Sequence, residues 1–185
     1  MAEVLLFHHA QGLTPGCVSF ADRLRAAGHV VHTPDLYDGK TFAELTDGVR
    51  YAEEVGFGTI ADRGRLAAES VPAGVVYAGF SLGAMPAQML AQTRPARRAR
   101  CCSTPRFQLR SSAGRGRTAC RSRSTRWRDD EWGDVDVAHG LAEEIETAEL
   151  FLYPGDRHLF ADESLPDYDE DAAALLMERV LRFLA

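Results

Sequence analysis

The ten residues VVYAGFSLGA at positions 75–84 constrain the fold of this chain more than any other stretch. An apolar, β-branched run ends in the pattern Gly-x-Ser-x-Gly, and a helix-forming run to residue 92 follows. A strand, a sharp turn and a helix in this order hold the serine, Ser81, in a strained conformation above the end of a sheet. Gly79 and Gly83 leave room that a Cβ atom would fill. Ser81 is therefore a candidate nucleophile, with a serine N-cap at an ordinary strand-to-helix turn as the alternative.

Apolar runs alternate with helical patterns along the rest of the chain. Residues 4–7 are continuously apolar, as is typical of a strand buried on both faces, and further strands are predicted at residues 30–31 and 150–153. Predicted helices lie near residues 20–27, 43–54, 57–70, 84–92, 135–147 and 170–184. This alternation predicts a mostly parallel sheet covered by helices on both faces, in a single domain spanning residues 1–185.

A serine at such a turn is a weak nucleophile unless a base lies within reach and a third group orients that base. The chain order in folds with this turn is nucleophile, acid, histidine, and two histidines follow Ser81. His139 lies within a predicted helix and is interpreted as a surface residue. His158 follows a predicted strand, at the sheet edge where Ser81 also emerges, so we predict that His158 is the base.

The remaining catalytic groups are predicted from their positions. Asp129 and Asp130 are the candidates for the orienting acid, with two further aspartates a few residues later. An oxyanion formed on the substrate would accept hydrogen bonds from the backbone N–H of Leu82 and from one N–H in the loop after the first strand. Ala10 is the predicted donor in that loop.

Three runs of the chain resemble the dienelactone hydrolase family of small α/β-hydrolases, which open lactones or cleave esters. The runs are GFSLG at 79–83, YPGDRHLF at 153–160 and PDLY at 34–37. The resemblance covers residues 3–93 and 129–185. It implies the α/β-hydrolase fold and a small-molecule ester or lactone substrate, with no cofactor.

The same resemblance implies a catalytic triad of Ser81, Asp130 and His158. Asp130 is preferred to its neighbour Asp129 by a small margin. His9, Gln11 and Tyr37 are candidate residues of the substrate pocket.

The chain departs from the family pattern in three places. The usual nucleophile of the family is a cysteine, which is Ser81 here. A glutamate usual after the first strand is replaced by His9, and an arginine that grips a substrate carboxylate is replaced by Asp162. The resemblance therefore implies a serine-dependent esterase or lactonase more than dienelactone activity itself.

The net charge of −6 conceals a strongly basic segment. Residues 94–128 hold 12 of the 21 lysines and arginines and no acidic residue, so the rest of the chain carries 9 basic residues against 27 acidic ones. Two strands belong in this region, yet residues 97–128 show no periodic apolar pattern. One interpretation is a nucleic-acid-binding insert on a non-catalytic α/β-hydrolase-like module, and another is disorder.

A third interpretation explains more of this basic segment. Its arginines, serines, cysteines and glycines are what GC-rich DNA encodes when it is translated in the wrong reading frame. Shifting the codons for residues 100–127 back by one base permits ALLLHSAVPAAEFGGPWPDGVPLQVHAM, which supplies two strands and a loop. We therefore predict that residues 97–128 are frameshifted and irregular, that the chain has no nucleic-acid partner, and that the restored sequence is the more active.

Other features argue against further classes of protein. No apolar run reaches 18 residues, which predicts no membrane span, and the acidic Glu3 without a basic region argues against a signal peptide. The four cysteines match no C-x-x-C metal pattern, so we expect free thiols and no metal site. The expected protein is cytoplasmic, without a membrane partner, and a monomer or homodimer.

Overall fold

In a computed structural model of the chain, the structure describes residues 1–94, 100–103, 121–127, 149–153 and 156–185. Six strands of these residues form one sheet in the order β2-β1-β3-β4-β5-β6, and every neighbouring pair is parallel. The strands are β1 (Glu3–Phe7), β2 (Val30–His32), β3 (Val76–Gly79), β4 (Arg100–Ser103), β5 (Arg121–Trp127) and β6 (Glu149–Tyr153). The predicted parallel sheet is confirmed.

The described helices follow the predicted pattern closely. They are α1 (Pro15–Ala26), α2 (Leu45–Val55), α3 (Phe57–Glu69), α4 (Ala84–Thr93) and α5 (Glu170–Leu184), with a short 3-10 helix at Ser81–Gly83. Gly28, with φ of +89°, follows the end of α1, and the Asp169 side chain caps α5 by accepting the N–H of Ala172. The helix predicted at residues 135–147 lies outside the described residues.

Side chains along each strand point alternately to the two faces of the sheet. The core is therefore divided into two clusters, one on each face. Val4 and Leu6 of β1 pack with α1 and α5, whereas Leu5 and Phe7 pack with α2, α3 and α4. Both sets of side chains are nearly fully buried. Because a strand with helices on both faces has no solvent side, its sequence reads as an unbroken apolar run, which is the pattern seen at residues 4–7.

The direction in which successive strands are added to the sheet reverses at β1, and this reversal creates a crevice. From β1 the chain first adds β2 on one side and then adds β3 on the other. The loops that follow β1 and β3 therefore diverge at the carboxyl ends of two adjacent strands. Open α/β sheets bind their ligands at such a switch point.

Two runs within the basic segment are strands, and this corrects the expectation of irregular backbone for them. β4 pairs with β3 through Tyr77 and Cys101, and β5 continues the sheet on its other side. The strand backbone satisfies its hydrogen bonds through this pairing, and it does so whatever the side chains are. These residues belong to the sheet, and the rest of the range 97–128 lies outside the described residues.

Candidate active site

The turn between β3 and α4 has the backbone that the motif predicts. Ser81 has a φ of +46°, a left-handed conformation that is uncommon for a residue with a side chain. A Cβ atom at Gly79 would lie 2.1 Å from the carbonyl oxygen of Gly83, and one at Gly83 would lie 2.5 Å from that of Phe7. Only glycine fits at these two positions, so the serine is held at the end of β3 by close backbone packing.

His158 lies directly against this serine. Its Nε2 atom is 2.7 Å from Ser81 Oγ, although the two residues are 77 positions apart in the chain. His158 follows β6, and Ser81 follows β3, so the parallel sheet delivers both to the same edge. A hydroxyl that donates to Nε2 at this distance has the geometry that general-base activation requires.

The two aspartates predicted to orient His158, Asp129 and Asp130, lie outside the described residues, as does His139. The structure therefore brings together the predicted nucleophile and base. The acid stays a prediction from chain order and from the resemblance.

The predicted oxyanion donors flank Ser81. Leu82 is the second residue of the 3-10 helix, whose first intrahelical bond is donated by Gly83 to Phe80 O at 2.8 Å. In the loop after β1, Gln11 N–H donates to His9 Nδ1 and Gly12 N–H donates to His9 O. Among the described residues no acceptor is hydrogen bonded to the N–H of Ala10. Both predicted donors are thus available to a bound oxygen.

A cavity of about 230 Å³ opens beside the serine. Its described lining is apolar except for Ser81 and Glu53, and consists of Ala10, Val49, Ala52, Glu53, Phe57, Ser81, Leu82 and Met85. Helix α2 forms one wall, and it approaches the Ala10 loop so closely that a Cβ at Gly48 would lie 2.0 Å from Ala10 O. The predicted nucleophile and both predicted oxyanion donors therefore line one cavity.

Three residues predicted for the substrate pocket bind protein groups in the structure, and their place in the pocket stays a prediction. Gln11 is buried and donates from Nε2 to the carbonyl oxygens of Phe42 and Ala43, at 3.1 and 2.7 Å. Tyr37 is fully buried and donates to Gly48 O at 3.2 Å. Neither residue is among the described lining of the Ser81 cavity, and neither is His9. His9 instead lines a small void together with His158.

His9 and Asp162, two of the three positions at which the chain departs from the family pattern, pair with each other. His9 Nε2 lies 2.7 Å from Oδ2 of Asp162, and both side chains are buried. Burial lowers the pKa of His9, and the backbone N–H that Gln11 donates to Nδ1 also favours the neutral ring. Hydrogen bonds to Asp162 and Cys17 outweigh burial, so the net shift of the pKa is upward. The residues at these two positions, His9 and Asp162, therefore form one buried contact.

Cys17 completes a group of possible metal ligands with His9 and Asp162. Their ligand atoms lie within 4.8 Å of one another, and all three residues are buried. His9 Nδ1 accepts the N–H of Gln11, so we assign the ring proton to Nε2, which lies 2.7 Å from Asp162 Oδ2. With this assignment the three side chains form a hydrogen-bond network.

The neighbouring histidine, His8, is clamped between two backbone groups. Its Nδ1 lies 2.7 Å from His9 O, and its Nε2 accepts the N–H of Leu36 at 2.9 Å. These contacts select the neutral ring with its proton on Nδ1. Burial is the main cause that lowers the pKa of His8 to about 4.

This shift predicts acid sensitivity of the fold. Below the ordinary histidine pKa of 6.5, the unfolded chain binds a proton that folded His8 accepts only near pH 4, so the free energy of unfolding should fall across that window. The loss attributable to His8 is at most about 3 kcal/mol. Urea unfolding between pH 7 and pH 4 measures it, with His8→Phe as the non-titrating control that keeps a ring beside Tyr37. Equal pH dependence in the two proteins would contradict this prediction.

Comparison with solved structures identifies the fold. A dienelactone hydrolase-like promiscuous phosphotriesterase from metagenomic libraries matches with a TM-score of 0.75 and 20% identity, over 100% of this chain and 85% of that chain. Dienelactone hydrolase from Anabaena variabilis matches with a TM-score of 0.65 and 19% identity, over 100% and 88% of the two chains. The thioesterase domain from the curacin biosynthetic pathway gives 0.63 and 13%, over 97% and 90%.

These similarities confirm the α/β-hydrolase fold predicted from the sequence, and at this level of fold they confirm the resemblance to dienelactone hydrolases. No protein-family model and no curated protein sequence matches the chain. Within the described parts of the chain, none of the helices has both the length and the apolar character needed to cross a lipid bilayer.

Proposed function

We propose that this protein is a serine hydrolase that cleaves carboxylic esters or lactones through an acyl-enzyme. The observation that carries the proposal is the 2.7 Å contact between His158 Nε2 and the Oγ atom of Ser81, at a turn with positive φ. A serine hydroxyl has no need of a strained backbone in an ordinary turn. Here the strain presents Oγ to both an imidazole and a cavity.

The reaction follows from the positions of the groups. His158 removes the hydroxyl proton as Ser81 Oγ attacks the carbonyl carbon, and the carbonyl oxygen gains negative charge. The N–H groups of Leu82 and Ala10 stabilise that charge. The intermediate collapses with loss of the alcohol, which takes its proton from His158. A water molecule activated by the same imidazole then attacks the acyl-enzyme, releases the acid and regenerates Ser81.

Asp130 is proposed to orient His158 and to stabilise the imidazolium form. Replacing the acid of a triad by the amide removes its charge and favours the wrong tautomer of the histidine, so Asp130→Asn should lower kcat by about a thousandfold or more. Asp129→Asn is the matched control, since it changes the adjacent residue in the same way. A greater loss from the change at position 129 would transfer the role to Asp129.

The mostly apolar lining of the cavity is suited to a substrate with an apolar acyl group. Val49, Phe57 and Met85 contribute aliphatic, aromatic and thioether surface, and Glu53 is the one ionisable side chain among the described lining residues. A negatively charged acyl group would therefore face a carboxylate. The proposed substrates are uncharged esters and lactones, since Asp162 stands where the family has the arginine that binds a carboxylate.

The test is a panel of p-nitrophenyl esters with acetyl, butyryl and succinyl acyl groups, together with a thioester and a phosphotriester. We expect turnover of the acetyl and butyryl esters, with a pre-steady-state burst of p-nitrophenol up to one equivalent of enzyme, and weak turnover of the anionic succinyl ester. Turnover of the thioester or phosphotriester alone would overturn the proposed substrate class. Absence of turnover with every substrate would overturn the hydrolase proposal.

A further inference from the structure

We propose that His9 and Asp162 form a positioning pair, which holds the loop of the base His158 against the loop that carries the oxyanion donor. This inference rests on the proposed function, because it assigns the pair a role in that reaction. His9 is the residue immediately before Ala10. Asp162 comes four residues after His158. Their contact therefore joins the two loops between which the substrate carbonyl would react.

The local backbone transmits the position of Asp162 to His158. The N–H of Asp162 donates to the carbonyl oxygen of Leu159 at 3.0 Å, which closes a turn that begins next to His158. The same loop is fixed further along, where the N–H of Asp169 donates to Phe160 O at 3.0 Å. A shift of Asp162 thus moves a closed turn, and the imidazole moves with it.

The carboxylate of Asp162 is buried and has a partner on every side. Oδ1 accepts the N–H and the hydroxyl of Ser164, at 2.9 and 2.6 Å. Oδ2 accepts from His9 Nε2 at 2.7 Å and from the hydroxyl of Thr14. Burial raises the pKa of Asp162, but the hydrogen bonds from His9, Ser164 and Thr14 prevail and lower it to about 2. A buried carboxylate with this many donors has one favourable position.

Helix α1 closes the remaining side of the pair. A Cβ atom at Gly16 would lie 1.7 Å from Asp162 Oδ1 and 2.9 Å from Glu163 N, so the first turn of the helix touches this loop directly. Thr14, which donates to Asp162, also caps α1 by accepting the N–H of Cys17 at 3.3 Å. The first turn of α1 therefore supports the His9–Asp162 pair.

The pair also lies next to the imidazole in space. A void of about 10 Å³ is lined by His9, Asp162, His158 and Phe80 among others, and it can hold no more than about one water molecule. Breaking the pair would free polar side chains that border the same void as the imidazole of His158. Displacing a catalytic group by about 1 Å can cost a hundredfold in rate, so the consequence should appear in kcat.

The experiment compares Asp162→Asn with Glu163→Gln, which removes a charge from the adjacent, exposed position. Active sites are titrated by the burst of p-nitrophenol, so that kcat is expressed per competent serine. We expect Asp162→Asn to lower kcat at least tenfold with KM changed less than threefold, and Glu163→Gln to leave both within twofold of the starting protein. An unchanged kcat per active site in Asp162→Asn would show a purely structural role and overturn the proposal.

Two variants of His9 keep the test decisive if Asp162→Asn folds poorly. His9→Gln retains an N–H donor that can reach Asp162, whereas His9→Leu has none. We expect kcat per active site to decrease from the starting protein to His9→Gln and further to His9→Leu. Equal values for the two variants would contradict positioning through the hydrogen bond. If the starting protein itself hydrolyses no ester, the proposed function fails. That result is distinct from an active protein whose kcat is unchanged by substitutions of His9 and Asp162, which would overturn only the positioning role.

Discussion

Replacing Ser81 by alanine should reduce p-nitrophenyl ester hydrolysis to below about a hundredth of the starting rate, because removal of the nucleophile typically costs several orders of magnitude. The substitution deletes one oxygen and adds no atom. Alanine meets the same backbone constraint as serine at the φ of +46°, so the turn should keep its shape and the melting temperature should change little. Initial rates at saturating substrate provide the measurement.

Ser70→Ala is a suitable control for this change. Ser70 is exposed at the end of α3, where its hydroxyl donates to Ala67 O, and it lies outside the described lining of the Ser81 cavity. We expect the control to retain full activity. Retention of more than about a hundredth of the rate in Ser81→Ala would remove the serine from the mechanism.

Restoring an apolar sequence to the basic segment should raise both stability and activity. β4 pairs with a neighbour on each side, and strands inside a parallel sheet covered by helices carry apolar side chains. The chain has Arg100 at the start of β4 and Arg121 at the start of β5. The alternative reading frame gives Ala-Leu-Leu-Leu for β4. Arginines at such positions cost free energy unless acids pair with them. Residues 94–128 themselves contain no acid, and the register of β5 with β6 places one acid, Glu149, opposite Arg123.

The comparison uses the chain as it stands and a chain in which residues 100–127 read ALLLHSAVPAAEFGGPWPDGVPLQVHAM. We expect the second to melt at least several degrees higher and to hydrolyse esters faster, since β5 supports β6, which leads to His158. A higher melting temperature for the chain as it stands would contradict the frameshift interpretation. Salt-dependent RNA binding by the chain as it stands, and not by the restored chain, would also contradict it, because the arginines would then have a function.

The parts of this protein that could be predicted from sequence are those set by local chemistry. The glycines at 79 and 83 are required by contacts within their own turn and with the neighbouring strand β1, so the motif alone predicted that turn. The apolar runs predicted the strands because parallel strands are buried on both faces. His158 was predicted because parallel strands present their carboxyl ends at one edge, which holds for any sequence with that topology.

What could not be predicted depends on contacts between distant residues. His9 was expected in the pocket from its place after β1, but its partner is Asp162, 153 positions away, and the pair turns the imidazole into the core. Val49 and Glu53 line the cavity because α2 packs against the Ala10 loop. Their helical spacing indicates a common face, yet spacing does not distinguish a face against the core from one that borders a cavity.

Two strands were expected in the basic segment, but the residues of β4 and β5 were predicted to be irregular for a related reason. Their sequences carry no apolar alternation, so no periodicity could indicate them. Their neighbours β3 and β6 provide unpaired strand edges, and a backbone of any sequence can pair with such an edge.

The most direct test of the central claim, that Ser81 is an activated nucleophile, is covalent labelling with a fluorophosphonate followed by peptide mass spectrometry. Only a serine with a functional base reacts readily with this reagent. We predict one adduct per chain, located on Ser81, formed more slowly in the presence of an ester substrate and not formed after His158→Gln. A folded chain that takes up no label, or that takes it up on a different residue, would contradict the account.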